Sequence, residues 1–179
     1  MYPFIRMFKE ILVHRNDPPL ALGAAHVSHH MCWPWDIDLW KELNNGRTLT
    51  LYDLGRIPMA RRSGMVSALR RMRWGMTIAG TTVRYRRRVR VFEQVEMRSR
   101  LLCWDARFLY LEQSMWKKDG ECSSHAVYRV AVTDSNGIVP TKRVTEEMGL
   151  TCASPPMPDW VVQWTKAEAH RPWPPMPGA

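Results

Sequence analysis

The sequence predicts an α+β fold in which an antiparallel sheet wraps around one long, largely apolar helix. Two patterns carry this expectation. Residues 47–62 bring Leu49, Leu51, Tyr52, Leu54 and Ile57 round several sides of one helix, so most of its surface needs cover. Further on, the apolar period changes from 3.6 to 2. Four strands then read out at 81–91, 94–104, 107–117 and 122–133, joined by short turns. Short turns between successive strands imply antiparallel pairing. With 179 residues, 45% apolar and 24% charged, the chain has material for one core. That balance excludes a disordered chain, a collagen and a disulfide-stapled miniprotein.

The elements follow in order. Residues 2–14 place Phe4, Ile5, Phe8, Ile11 and Leu12 at helical spacing, an amphipathic helix expected to dock on the domain, with a membrane surface as the other use of such a face. Asn16-Asp17-Pro18-Pro19 ends it. Residues 25–33 read as a first strand. A loop with a short helical turn spans Asp36 to Asn45, ahead of the apolar helix, which Pro58 should kink or end. In the last strands, Asp119-Gly120 marks a hairpin and Asn136-Gly137 a stop. Beyond them, Asp159 to Ala169 forms a helix expected to dock through Trp160, Trp164 and Ala167. The segment from His170, with Pro172, Pro174, Pro175 and Pro177, should be extended. The whole chain, 1–179, is thus one domain with a core at about 24–135, an amino-terminal helix and a Pro-rich helical extension over 140–179.

Charge is concentrated. Of 26 basic residues, twelve lie between Arg61 and Arg100, all arginine, against only Glu93 and Glu96. The net charge of +9 is therefore local, and it favours an anionic partner. Within it, strand alternation places Arg84, Arg86, Arg88 and Arg90 on one face, opposite Val83, Tyr85, Val89 and Val91. Arginine's planar fork suits phosphate oxygens. A solvated sheet face explains the same pattern. No run approaches the ~18 apolar residues of a membrane span, and the amino end lacks a signal peptide's order. Cys32, Cys103, Cys122 and Cys152 form no C-x-x-C pair and read as reduced thiols of a cytoplasmic protein. His30 and Cys32 share a strand face without a third ligand, so no metal is expected. Ser63 and Ser67 lack the G-x-S-x-G setting of a serine hydrolase.

The segment Trp33-Pro34-Trp35-Asp36-Ile37-Asp38-Leu39-Trp40-Lys41-Glu42-Leu43-Asn44-Asn45-Gly46-Arg47 holds the candidate chemistry. Carboxylates stand among aromatic rings directly before a buried helix. Desolvation by those rings would raise a carboxyl's basicity. The free amides of a helix start can polarise a carbonyl. Together these are the minimum kit for hydrolysing an activated acyl group, although Asp36 and Asp38 as plain turn caps would satisfy the same pattern.

The run Asp36-x-Asp38-x-x-x-Glu42-Leu43-Asn44-Asn45-Gly46-Arg47, followed by Leu51-Tyr52-Asp53-Leu54-Gly55-Arg56, resembles the opening motif of hotdog-fold acyl-CoA thioesterases, roughly D-x-D-x-x-G-H-x-N-N-x-x-Y. These form the 4-hydroxybenzoyl-CoA thioesterase-like superfamily. The runs Val83-Arg84-Tyr85-Arg86-Arg87 and Leu101-Leu102-Cys103-Trp104-Asp105 to Phe108-Leu109-Tyr110-Leu111-Glu112 resemble its thioesterase superfamily member six-like branch. The resemblance spans about residues 25–135. It implies a hotdog fold and a homodimer or dimer of dimers, with an acyl-CoA at the subunit interface. It also implies Asp38 as catalytic base or nucleophile, and backbone amides near Asn45, Gly46 and Arg47 as the carbonyl-binding group. Asp36, Glu42 and Asn44 become accessory positions, and the four arginines candidates for the CoA phosphates. CoA is then part of the substrate, and no cofactor is implied. The family's Gly-His pair is replaced here by Lys41-Glu42. The alternative function is a non-catalytic protein that holds an acyl-CoA, or RNA, on the arginine face. No RNA motif is present, and nucleic acid is not the expected partner.

Overall fold

A computed structural model describes residues 2–175. The element order is α1 (Phe4–Val13), β1 (His26–Met31), a 3-10 turn (Pro34–Asp36), α2 (Asn45–Arg62), α3 (Met65–Met72), β2 (Gly75–Tyr85), β3 (Gln94–Trp104), β4 (Leu109–Lys117), β5 (Cys122–Asp134), β6 (Gly137–Ile138), α4 (Thr141–Glu147) and α5 (Asp159–His170). One antiparallel sheet runs in the order β1-β3-β4-β5-β2, with β6 pairing onto β5. It curls around α2, the hotdog arrangement expected from the sequence. Among the described residues no helix is long and apolar enough to cross a membrane.

Alternation along β3 sends Val95, Met97, Ser99 and Leu101 inward, where α2 meets them with Leu51, Tyr52, Leu54, Gly55 and Met59, and a bulge after Leu101 turns Cys103 to the other face, against Tyr110, Val127 and Val161. Closest approach falls at Gly55. A Cβ there would lie 2.6 Å from Ser99 Oγ and 2.7 Å from Met97 Sδ, so only glycine lets helix and strand touch. Buried polar groups then fix the helix on the sheet. Gln113 Nε2 donates to Tyr52 O (2.8 Å) and Ser99 Oγ (2.7 Å), and Arg56 Nη1 donates to Gln113 Oε1 (3.2 Å). Arg56 also pairs with Asp53 and lies over the Tyr128 ring, while Tyr52 Oη donates to Ser124 O (3.0 Å). Pro58 is buried within α2, which runs on to Arg62 rather than stopping.

Three expectations need correction. First, β2 begins at Gly75 and ends at Tyr85, and it pairs with β5, not β3. Its end is set by its partner. The amides of Arg86 and Arg87 both turn to Ser123 O (2.8 and 3.1 Å), so the chain leaves the ladder and crosses to the other side of the sheet before β3. Second, α5 docks through Val161, with Trp164 against the Tyr110 ring. Trp160 lies at the margin beside His125, and Ala167 is exposed. Helix α3 has no counterpart in the sequence reading, and α4 lies within the 140–179 extension. The proposed extended tail is described only to Pro175, so Pro177 lies outside the described residues.

Third, α1 docks with its polar side inward. Met7 and Glu10 are buried, while Phe4, Ile5, Phe8 and Leu12 face out. The reason lies in β1, whose inward positions are His26, Ser28 and His30. Arg6, Glu10 and His14 meet them: Glu10 approaches His14 (3.5 Å) and His30 (3.9 Å), and Arg6 Nη2 donates to Met31 O (2.9 Å).

Burial pushes His26 down to about 4, with His14 and Arg62 adding repulsion. It pushes His30 down to about 3, with Arg6 and Lys9 adding theirs. Between roughly pH 6.5 and those values the unfolded chain holds protons that the folded chain refuses. Stability is therefore expected to fall as pH drops from about 6.5 towards 4. Thermal melts across that window test this, and a flat profile would contradict it. His30→Gln should make the slope shallower.

Candidate active site

Asp36 is fully buried and anchors the segment. Its carboxylate accepts from the Trp33 amide (3.0 Å), from Arg6 Nη1 (2.7 Å) and from Arg47 Nε (2.6 Å). One side chain thus ties the 3-10 turn, α1 and the start of α2 together. The chain then makes a tight loop. Ile37 bridges to Leu43, the Asp38 amide donates to Glu42 O (2.9 Å), and the Lys41 amide donates to Asp38 O (3.0 Å). Lys41 turns the corner at φ 60°, the left-handed conformation that favours glycine. The family motif carries Gly at this position.

Asp38 sits half-buried in that loop, and its carboxylate accepts from the Trp40 amide (2.9 Å). The expected aromatic enclosure is not formed, because Trp35, Leu39 and Trp40 all point into solvent. Glu42 is held in an ion pair by Arg88 (2.7 Å).

At the start of α2, Asn44 is the cap, its Oδ1 accepting from the Arg47 amide (3.0 Å). Arg47 is thereby bonded through both its amide, to Asn44, and its side chain, to Asp36. Asn45 and Gly46 carry the first two amides of the helix, which have no intrahelical acceptor. A Cβ on Gly46 would press on Asn44 Oδ1 at 3.3 Å, so glycine keeps the cap close.

Beside this helix start opens a cleft of about 210 Å³. Glu42, Asn45 and Thr48 form one wall, Tyr85 and Arg86 to Arg88 another, and Ser123 and Ser124 the floor. Tyr85 Oη donates to Asn45 O (3.1 Å) and joins the walls. The arginine stripe is thus a loop rather than a strand face. Arg84 alone remains on β2, opposite His125, and the Arg90 amide donates to Glu93 (2.7 Å). Arg87 pairs with Glu121 (2.8 Å). Glu96 sits on β3 with Arg98 (2.6 Å), away from the stripe. The structure brings Glu42, Asn45, Arg86 and Arg88 together. Asp36, Asn44 and Arg47 line a second cleft, of about 440 Å³, with Tyr2 and Trp35. Arg84 and Arg90 line neither.

Sequence reasoning missed Tyr85, Thr48, Ser123 and Arg6 as contributors. Their partners lie far along the chain, and no local pattern marks them. It also missed His14, Asp17 and His26, whose ligand atoms gather within 4.8 Å. Arg62 Nη1 already lies 3.0 Å from His26 Nδ1 and 3.4 Å from Asp17, so a guanidinium supplies the positive charge there.

The model of the thioesterase-like superfamily matches residues 32–165. The chain is 34% identical over 165 residues to Protein THEM6 of Xenopus laevis, covering 91% of this chain and 78% of that protein. Among solved structures it resembles YbaW, a probable thioesterase from Escherichia coli, with TM-score 0.65 and 14% identity over 69% of this chain and 96% of that one. It also resembles SAV2348 of Staphylococcus aureus, solved in complex with CoA, with TM-score 0.57 and 11% identity over 88% and 92%. At these identities the structural likeness speaks for the fold.

Proposed function

The chain belongs to the thioesterase-like superfamily, and on that footing we propose that it hydrolyses an acyl-CoA thioester, releasing CoA and a carboxylic acid. The observation that carries this reading is the cleft that Asn45, the first residue of α2, shares with the Arg86–Arg88 loop. A thioester carbonyl at Asn45 and Gly46 would be polarised by the helix end. The CoA phosphates would lie along the arginines. Asp38 is the proposed base or nucleophile, one backbone hydrogen bond from Glu42 on the cleft wall. As base, it takes a proton from water, whose oxygen attacks the carbonyl. The C–S bond then breaks, and the leaving thiolate takes the proton back from Asp38 and departs as CoA. The direct test is thiol release across acyl-CoA chain lengths, with Asp38→Asn alongside.

One observation favours a second reading. Arg88 holds the Glu42 carboxylate where the family motif has His, so Glu42 is not offered as a second acid or base. A protein that binds acyl-CoA without cleaving it would show affinity and no thiol release.

Arg86 and Arg88 both line the cleft, Arg88 already paired with Glu42, and are the proposed phosphate contacts. Replacing both by Ser is expected to raise KM for acyl-CoA at least about tenfold, since each charge-assisted hydrogen bond is worth roughly 1.5–3 kcal/mol before screening. A short thioester without the nucleotide should be unaffected. Equal losses on both substrates would mean that the arginines serve folding.

The proposed enzyme is a homodimer. Strand β2 is bonded on one side only and exposes Met76, Ile78 and Tyr85. An open edge of eleven residues is a template for another strand, and a two-fold pairing of β2 with β2 would close it. Light scattering is expected to give twice 20.9 kDa or a multiple of that. A monomer at micromolar concentration would refute the pairing.

A further inference from the structure

Helix α1 is mounted the opposite way from an ordinary surface helix. Its wheel places Phe4, Phe8, Leu12 and Ile5 within an arc of roughly 100°. These side chains are 72, 64, 43 and 87% exposed. The opposite side carries Arg6, Met7, Glu10 and His14. It is engaged throughout, by Asp36, Met31 O and the buried face of β1. The helix therefore has no freedom to roll its apolar side inward without breaking the Arg6–Asp36 pair and stranding Glu10.

The exposed charges beside the apolar arc are basic. Lys9, Arg15 and Arg61 stand there, Lys9 with its ammonium 3.3 Å from the inward-turned Glu10 and Arg61 reaching Ile11 O (3.4 Å). The only carboxylate on the helix, Glu10, is turned inward and 5% exposed. Aromatic groups extend the surface. Tyr2 packs on Phe4 (4.9 Å between centroids) and shares a cleft with Trp35, which stacks on Trp33 (5.4 Å). Apolar side chains, a basic rim and flanking Tyr and Trp together match the requirements of an anionic bilayer interface. A second copy is a poorer match. The open strand edge is β2, and α1 lies over α2 and the end of β1, the strand at the other edge of the sheet.

We propose that α1 is a membrane-docking helix whose outward face rests in the headgroup region of an anionic lipid surface. The inference stands whether or not the chain hydrolyses a thioester. Docking in this orientation would leave the Asp36 staple intact and hold the second cleft, lined by Tyr2 and Trp35, close to the lipid.

The test is vesicle flotation of the full chain. Phosphatidylcholine vesicles with about 30 mol% phosphatidylglycerol should carry the protein up, and pure phosphatidylcholine far less. Ile5→Ser with Phe8→Ser alters two solvent-facing groups, so the melting temperature should hold while flotation falls at least about tenfold. Lys9→Glu with Arg15→Glu should remove the preference for anionic vesicles and give a second readout if the serine variant folds poorly. Failure of the parent to float, or equal flotation of the serine variant, would overturn the proposal. So would a drop in solution mass in that variant without lipid binding by the parent, because a second copy would then be the occupant.

Discussion

Asp36→Asn is expected to destabilise the protein by about 3 kcal/mol, the low end of the range for breaking a buried ion pair from one side. Three donors converge on this carboxylate, two of them guanidinium groups whose side chains are 17 and 15% exposed. Asn keeps the size and one acceptor oxygen but removes the charge and cannot satisfy Arg6 and Arg47 together. Partial exposure of both arginines places the estimate at the lower figure. For a domain of this size the loss corresponds to a fall in Tm of about 6–12 °C. Urea or thermal denaturation reads it directly, and a Tm within about 2 °C of the parent would refute the staple. A fold this dependent on Asp36 also predicts looser α1 docking, visible as faster amide exchange over residues 4–13.

Where a segment's structure follows from its own neighbours, the sequence was legible. The ranges of β3, β4 and β5 were read from alternation that burial enforces, and α2 from a helix apolar on several sides. Asn44 as cap was open to the same reading, because capping spans three residues. Where a distant partner decides, it was not. Alternation continues past Tyr85 through Arg90, yet the strand stops, because Ser123 takes the two amides that would extend the ladder. The periodicity of α1 gave the helix but not its orientation, which depends on the polar inward face of β1. The cleft depends on the Tyr85–Asn45 contact, forty residues apart, and on Arg88 meeting Glu42. Two carboxylates two residues apart also looked equivalent in pattern. Burial separates them: Asp36 is held by three donors, and Asp38 is left half-open on the loop.

That separation sharpens the second large effect. Asp38→Asn is expected to lower kcat on acyl-CoA by at least roughly a hundredfold, the loss typical of removing a general base, with KM little changed. Its cost in stability should be small, within about 0.5 kcal/mol, because the site is half-open and an Asn oxygen can still accept from the Trp40 amide. The two aspartates therefore dissociate. Asp36→Asn should lose stability first, with activity following the unfolded fraction, whereas Asp38→Asn should lose turnover in a fully folded protein. Measuring Tm and thiol release on both variants over the same acyl-CoA panel tests the assignment in one experiment. Parent-rate hydrolysis by Asp38→Asn would remove Asp38 from the mechanism. A parent that binds CoA esters and releases no thiol across the panel would place the chain among proteins that hold acyl-CoA, with the helix start and Arg86–Arg88 loop serving as a grip.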